Sequence, residues 1–193
     1  IDDDEVAEPG WLAALLTAQQ STHADVVLGP VQAIYDPQTP DWMRQLDTHS
    51  TAPVDVKGTI RTGYSCNVLL DRTSPALTGL RFNLGLGQSG GEDTAYFTHA
   101  YRRGARFTLA ETALVREPVP QSRAKLAWLA RRRYRSGQTH GQLMGETADF
   151  GALILAFALA SLKLTYCAGL VSLRATNPAA RNGALLRGAL HLG

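Results

Sequence analysis

An uninterrupted apolar segment near the carboxyl end, Phe150 to Leu173, constrains the fold of this chain more than any other feature. It holds one charged residue, Lys163, among residues that are otherwise apolar or small. A bilayer core requires about 20 apolar residues, so the segment is long enough to cross a membrane. An interfacial helix, or a helix buried against another part of the protein, are the alternatives at this stage.

A second apolar segment follows Asn177-Pro178 and runs from Ala179 to Leu192. Its small and apolar residues are interrupted by Arg, which favours an amphipathic helix on a membrane surface. Lys and Arg beside an apolar segment favour the cytoplasmic side of a membrane. We therefore expect residues 138–193 to be a membrane-associated helical tail at the cytoplasmic face of the inner or plasma membrane, either peripheral or held by a C-terminal membrane helix.

Shorter segments of regular structure precede this tail. Polar residues with three prolines predict a long loop over residues 35–58, and the glycines between Gly79 and Gly91 predict an irregular stretch. The remaining patterns predict helices beginning near Trp11 and covering 92–103 and 121–135, and strands over 24–31, 65–70 and 106–116.

Charge is distributed unevenly along the chain, although the formal net charge is only +2. Acidic residues are dense at the start, and basic residues are dense after residue 100. This asymmetry indicates an anionic partner for the second half: a nucleic acid, a diphosphate or an anionic membrane surface. Aromatic residues are sparse between the arginines, which argues against a nucleic-acid binder.

The acidic start, Asp2-Asp3-Asp4-Glu5, is a candidate metal site. Alternate carboxylates of an extended segment point to one side, so Asp2 and Asp4 would share one hard cation such as Mg²⁺ or Mn²⁺. A solvated acidic terminus is the alternative interpretation, since runs of aspartate are common.

A second candidate is Gly90-Gly91-Glu92-Asp93 at the start of a helix. Glycines allow the backbone to approach a ligand closely, and one of the two acids would act as a general base. Because acids in a first turn also stabilise the helix dipole, simple helix capping is the alternative.

Arginines near residue 130 form the third candidate. Arg131-Arg132-Arg133-Tyr134-Arg135 lies on a predicted helix, so these side chains point in different directions and cannot all contact one ligand. One or two would clamp a diphosphate through bidentate hydrogen bonds. The others would face lipid headgroups or water.

In their order and spacing these motifs resemble family 2 glycosyltransferases, and most closely the succinoglycan-type glucosyltransferases of bacterial exopolysaccharide assembly. The resemblance covers residues 1–137 and, more loosely, the apolar tail. The motifs that carry it are Ile1-Asp2-Asp3-Asp4-Glu5, Gly29-Pro30-Val31, Pro40-Asp41-Trp42, Thr62-Gly63-Tyr64-Ser65-Cys66-Asn67-Val68-Leu69-Leu70, Leu80-Arg81-Phe82-Asn83, Gly90-Gly91-Glu92-Asp93-Thr94, Tyr96-Phe97, Gly104, Glu117-Pro118-Val119-Pro120, Arg123, Arg132-Arg133-Tyr134-Arg135 and Gly137.

The resemblance implies an α/β fold of the GT-A type, the nucleotide-diphospho-sugar transferase fold, here lacking its first strands and followed by C-terminal apolar helices. Residues 1–137 would be the catalytic and acceptor half of the glycosyltransferase domain. The chain has no initiator Met and begins inside the acidic motif, so we expect an N-terminally truncated fragment.

The resemblance also implies the roles of single residues. Asp2 and Asp4 match the DxD motif that binds Mg²⁺ or Mn²⁺, and Asp93 matches the catalytic base, with Glu92 as second choice. Asp3, Asn67, Arg132 and Arg133 are the expected donor contacts.

The implied reaction is an inverting transfer from a nucleotide sugar, with a UDP-sugar as the expected donor, to a saccharide or lipid-linked oligosaccharide. A Gln-x-x-Arg-Trp motif of processive members is missing at Gln121-Ser122-Arg123, which favours a single addition. A catalytically inactive, membrane-associated scaffold module of a glycan assembly complex is the alternative function.

Overall fold

The structure is a computed structural model that describes residues 1–86 and 90–193. These residues form two compact units. The first contains Ile1–Ile34, 49–86 and Glu92–Val119, and the second contains Tyr35–Thr48, 90–91 and Pro120–Gly193. The predicted boundary at residue 137 separates a catalytic region from a membrane-associated tail. These two units do not test that functional division, so it stays a prediction.

Strands and helices alternate in the first unit, and apolar helices close the chain, which confirms the predicted α/β class with C-terminal apolar helices. In chain order the elements are β1 (Val6–Ala7), α1 (Trp11–Thr22), β2 (Val26–Leu28), β3 (Val31–Ile34), α2 (Asp41–Leu46), β4 (Val68–Leu70), a 3₁₀ turn (Leu84–Leu86), α3 (Glu92–Arg102), β5 (Phe107–Leu109), β6 (Val115–Pro118), α4 (Leu126–Gly145), α5 (Phe150–Leu173) and α6 (Pro178–Leu192).

Two small mixed sheets organise the first unit. In one, β2 lies between β4, which is antiparallel to it, and β5, which is parallel to it. In the other, β6 lies between antiparallel β1 and parallel β3. Because β2 and β3 are adjacent in the chain, as are β5 and β6, the same two chain segments contribute to both sheets.

Helices α1 and α3 contribute to separate apolar clusters on the sheet of β2. Val26 and Leu28 pack in the cluster that includes Phe97 of α3, whereas Val27 packs in the cluster that includes Leu15 of α1. Successive side chains of a strand point to opposite faces, so β2 is buried on both sides. This packing fixes the position of α3, whose first turn holds Glu92 and Asp93.

The prediction of a single strand over residues 24–31 was wrong. The segment divides at Gly29-Pro30 into β2 and the start of β3, which belong to different sheets. Proline has no N–H for a strand ladder. A Cβ at Gly29 would collide with the Ala113 carbonyl and the Asn67 side chain, so the close approach at this junction requires glycine.

Three other boundaries differ from the predictions. Residues 106–116 also form two strands, β5 and β6, in different sheets. The predicted loop over 35–58 contains α2, which begins after Pro40. The basic helix begins at Leu126 and continues to Gly145, beyond the predicted range of 121–135. Part of the predicted irregular stretch, residues 87–89, lies outside the described residues.

In the second unit, α6 packs against both α4 and α5. Met43 of α2, Leu129 of α4 and Leu186 of α6 form its buried centre. Helix α5 is long and apolar enough to cross a membrane, judged by length and composition.

Two glycines of α4 differ sharply in what surrounds them. A Cβ at Gly137 would collide with the Leu190 carbonyl oxygen and come within 3.0 Å of Gly193 atoms, whereas a Cβ at Gly141 would meet nothing within 4 Å. We therefore expect Gly137→Ala to destabilise the protein by about 1–3 kcal/mol through overpacking. The matched variant Gly141→Ala is expected to stabilise it by about 0.5–1 kcal/mol through helix propensity. Urea unfolding midpoints measure both, and equal shifts would contradict the close α4–α6 contact.

Candidate active site

The acidic motif at the start of the chain forms a turn. Residues 3 and 4 are turn residues, the Glu5 N–H approaches the Asp2 carbonyl at 3.4 Å, and the Asp2 N–H donates to Glu5 Oε2 at 2.8 Å. The extended geometry expected for Asp2 and Asp4 is therefore wrong, because the backbone closes on itself before β1 begins. The turn brings the Glu5 carboxylate to Asp2, and all three aspartates are exposed.

Glu5 is the buried acid of this turn, with 8% of its surface exposed. Its Oε1 has no hydrogen-bond partner within the described part of the chain. Burial raises the pKa of Glu5, and the charges of Asp2 and Glu117 raise it further, against a lowering by the Asp2 N–H. A buried carboxylate beside other acids is unfavourable when charged, so this position is suited to a cation.

The Cys66 thiol is half-buried. Its pKa is raised to about 12 by burial and by the negative charges of Glu5, Asp2 and Asp93. The thiol is therefore neutral at physiological pH and is a poor nucleophile. The negative charges of the acidic turn and of the first turn of α3 both raise the pKa of this one thiol.

Asp93 is half-buried in the first turn of α3. Its Oδ1 accepts hydrogen bonds from the Thr94 N–H at 2.6 Å and the Thr94 hydroxyl at 3.3 Å. Glu92, the neighbouring acid, has a buried Oε2 with no hydrogen-bond partner among residues 1–86 and 90–193. Both acids are held at the helix start, where the helix dipole favours negative charge.

Hydrogen bonds hold the segment from Thr62 to Tyr64 against its surroundings. The Thr62 hydroxyl donates to the Thr94 carbonyl at 3.2 Å and accepts from the Thr98 hydroxyl at 3.2 Å. Tyr64 donates to the Gly29 carbonyl at 2.8 Å. These bonds connect the segment to α3 on one side and to the β2–β3 junction on the other, so the position of Cys66 is fixed.

Asn67 is fully buried, and its amide is occupied by three partners. Its Oδ1 accepts from Trp11 Nε1 at 2.8 Å, and its Nδ2 donates to the carbonyls of Pro30 at 2.9 Å and Ala113 at 2.8 Å. Any effect of Asn67 on donor binding would therefore act through the segments that it joins. Its expected direct contact with the donor stays a prediction.

The predicted arginines lie in the second unit. Arg132 and Arg133 are exposed on α4, and the Arg132 guanidinium lies 5.4 Å from the ring centre of Trp128, four residues earlier. This cation–π contact holds one guanidinium along the helix. Their role as diphosphate contacts, like that of Asp3, stays a prediction.

No group of three or more His, Cys, Asp or Glu side chains that could hold a metal ion is present among the described residues. Mg²⁺ commonly keeps several waters and binds one or two carboxylates together with substrate phosphates. A site built from two carboxylates and a substrate would not form such a group, so the metal assignment to Asp2 and Asp4 stays a prediction.

A half-open cavity of about 640 Å³ lies elsewhere in the first unit, between residues 53–60 and β5. Tyr101 and Phe107 line it, together with Asp55 and Glu111. None of the predicted catalytic, metal or donor residues lines this cavity, so it is separate from the acids around Cys66.

Residues that the sequence did not single out contribute to the site. Glu5 was one acid among four in a run, and Tyr64 and Cys66 belonged to a motif without an assigned role. Glu5 is buried and hydrogen-bonded to Asp2, Tyr64 is hydrogen-bonded to Gly29, and the pKa of Cys66 is raised by the charges of Asp2 and Asp93. No local sequence pattern reports these relations. The sequence indicated Tyr64 and Cys66 only by their position between Thr62-Gly63 and Asn67, just before a predicted strand.

One curated protein is similar to the whole chain. It is the succinoglycan biosynthesis protein ExoM of Rhizobium meliloti (strain 1021), which is 50% identical over all 193 residues. The chain spans 62% of the length of that relative. No protein-family model matches the chain, and no solved structure matches it at a significant level. The name of this relative agrees with the exopolysaccharide assignment that the motifs predicted.

Proposed function

We propose that this chain belongs to a metal-dependent, inverting glycosyltransferase of bacterial exopolysaccharide or cell-surface glycan synthesis, of family 2 and the GT-A type. The enzyme transfers a sugar from a nucleotide sugar, such as a UDP-sugar, to a saccharide or lipid-linked oligosaccharide acceptor. Similarity to a succinoglycan biosynthesis protein supports the pathway class, and the acids around Cys66 support the reaction.

One observation carries this proposal. The negative charges of Asp2 and Glu5 in the acidic turn, and of Asp93 at the start of α3, all raise the pKa of the Cys66 thiol, although about 90 residues separate the two groups in the chain. An inverting transfer needs one group for the leaving diphosphate and another for the incoming hydroxyl on the opposite face of the sugar. The two clusters provide these two groups.

The acidic turn fits a divalent cation. Glu5 has a buried oxygen without a partner in the described residues, and its pKa is raised by burial and by Asp2 and Glu117. We assign Asp2 and Asp4 as ligands, and Glu5 as the buried charge that strengthens the site. The bound cation would supply neutralisation of the charge on the leaving diphosphate.

Asp93 acts as the general base in this proposal. Hydrogen bonds from Thr94 to Oδ1 fix the orientation of the carboxylate, and Oδ2 accepts the proton of the acceptor hydroxyl. The deprotonated oxygen attacks the anomeric carbon as the bond to the diphosphate breaks, which inverts the configuration. Positioning of this kind supplies much of the rate.

Donor binding is assigned to Asp3, Asn67, Arg132 and Arg133, with Asn67 acting through the segments that it joins. We also propose that the enzyme works at the cytoplasmic face of the membrane and is attached by its C-terminal helices. The exposed apolar side chains of α5 support this attachment.

Removal of divalent cations tests the reaction. In the natural protein at full length, EDTA is expected to abolish release of nucleoside diphosphate from the donor, and Mg²⁺ or Mn²⁺ is expected to restore it. Asp2→Asn should raise the Mn²⁺ concentration needed for half-maximal activity by roughly tenfold or more. Loss of an outer-shell partner alone already lowers metal affinity by at least about tenfold, and Asp2 is a proposed ligand.

Glu111→Gln is the matched control, because Glu111 is an exposed acid of the same unit that lines the separate cavity. Its metal dependence should equal that of the parent. Turnover that persists in EDTA, or donor binding without turnover on any saccharide acceptor, would contradict the proposed reaction and support the inactive scaffold module instead.

A further inference from the structure

Helix α5 exposes large apolar side chains along its whole length. Phe150, Phe157 and Leu173 are 79%, 77% and 83% exposed. Isolated exposed apolar residues are normal on a protein surface, but a continuous patch of this kind marks a partner or a membrane. The other large members of this apolar surface are Leu153, Ile154, Leu155, Leu159, Leu162 and Tyr166.

The C-terminal part of α5 packs against α6. Cys167 is buried, and its Cβ would lie 3.4 Å from a Cβ placed at Gly188 of α6, with Leu164 close by at 3.6 Å. Gly188 lies near the C-terminal end of α6, and only residues 174–177 separate the two helices. The two helices are therefore antiparallel, and α6 lies along the C-terminal part of α5, from Leu173 back to Leu164.

The packing of α6 opposes a crossing of the membrane by α5. With 24 residues, α5 is about 36 Å long and exceeds the bilayer core of about 30 Å. However, a crossing would carry α6 into the hydrocarbon together with Arg181, Arg187 and Asn182. Charged side chains there are costly, and α6 is also packed against α4.

Contacts with α6 and with a lipid leaflet would together explain the apolar character of α5. A helix that is apolar on all sides is typically buried. Here α6 covers one side of the C-terminal part of α5, and a lipid leaflet would cover the exposed remainder. The charge of the helical unit fits such a surface, because residues 120–193 contain ten Lys or Arg and two Asp or Glu. Lys163, Arg174 and Arg187 are exposed near or on these two helices.

We infer that α5 lies in the plane of one leaflet of an anionic bilayer, with its free side among the acyl chains and α6 on its other side. The inference rests on the membrane attachment proposed above and specifies its geometry. The protein is thus attached to one face of the membrane and does not span it.

Vesicle sedimentation tests the attachment. The full-length protein should bind vesicles of equal parts phosphatidylcholine and phosphatidylglycerol more tightly than phosphatidylcholine alone, with a difference that shrinks in high salt. Phe157→Asp should weaken binding about tenfold or more, as expected for one large apolar side chain kept in water. The control Leu12→Asp replaces an exposed residue of α1 and should bind like the parent.

Depth measurements distinguish in-plane attachment from crossing. An environment-sensitive fluorophore would be attached through Leu155→Cys, Leu162→Cys or Leu173→Cys, each in a background in which Cys66, Cys167 and every other cysteine of the full-length protein are replaced by Ala. Equal shallow quenching by spin-labelled lipid at all three positions is expected. A deepest position at Leu162, with the helix ends on opposite faces, would overturn the in-plane geometry but leave attachment intact. If the protein binds no vesicle and instead self-associates through α5, both the membrane attachment and the in-plane geometry are wrong.

Discussion

Asp93→Asn is expected to lower acceptor-dependent sugar transfer by a factor of about 10²–10⁴, the usual contribution of a general base. Asparagine keeps the size of the side chain and the oxygen that accepts the Thr94 N–H bond, so the start of α3 should remain intact. It cannot take a proton from the acceptor hydroxyl. The loss should appear in kcat, while the Mn²⁺ requirement and the unfolding temperature stay near those of the parent.

Glu92→Gln separates the two acids of the α3 start. Glu92 has a buried oxygen without a partner among the described residues, so its amide variant should fold and should retain most of the activity. If Glu92→Gln loses the activity and Asp93→Asn retains it, the base is Glu92. If both variants transfer sugar at the parental rate, neither acid is the base and the proposed mechanism is wrong.

Helices were more predictable than strands in this chain. The apolar spacing after Gly10, the acids in the first turn of α3 and the unbroken apolar run of α5 each determine one local structure. The segment around Gly29-Pro30 has the composition of a strand on both sides, yet its halves join different sheets. Sequence reports local propensity, whereas the choice of partner strand depends on tertiary packing.

The candidate site was also predictable only where it depends on local sequence and not on tertiary packing. Asp93 was predicted at the helix start where the structure places it. The argument that Asp2 and Asp4 share a face assumed an extended backbone, but residues 3 and 4 form a turn. Glu5 was not distinguished from its neighbours, because its burial depends on long-range packing, and its raised pKa reflects Glu117, more than 100 residues away, as well as Asp2.

Asn67→Ala is expected to cause the largest loss of stability, about 3–5 kcal/mol, because it leaves three buried polar partners unpaired at about 1–3 kcal/mol each. These partners are Trp11 Nε1 and the carbonyl oxygens of Pro30 and Ala113. A loss of this size is a large part of the stability of a typical domain, so a milder variant is measured beside it. Trp11→Phe removes one of the three bonds and should cost about 1–3 kcal/mol. The exposed residue Gln32 provides the control, since Gln32→Ala should change stability by less than about 0.5 kcal/mol.

The two roles considered for Asn67 predict different measurements. A direct donor contact would raise KM for the nucleotide sugar without changing the unfolding temperature. The structural role predicts that the unfolding temperature falls in both Asn67→Ala and Trp11→Phe. Donor binding would then weaken only as a consequence of the lost stability. Trp11→Phe is decisive, because Trp11 belongs to α1 and was never a predicted donor contact. If its stability equals that of Gln32→Ala, the amide does not hold α1, the β2–β3 junction and the segment before β4 together.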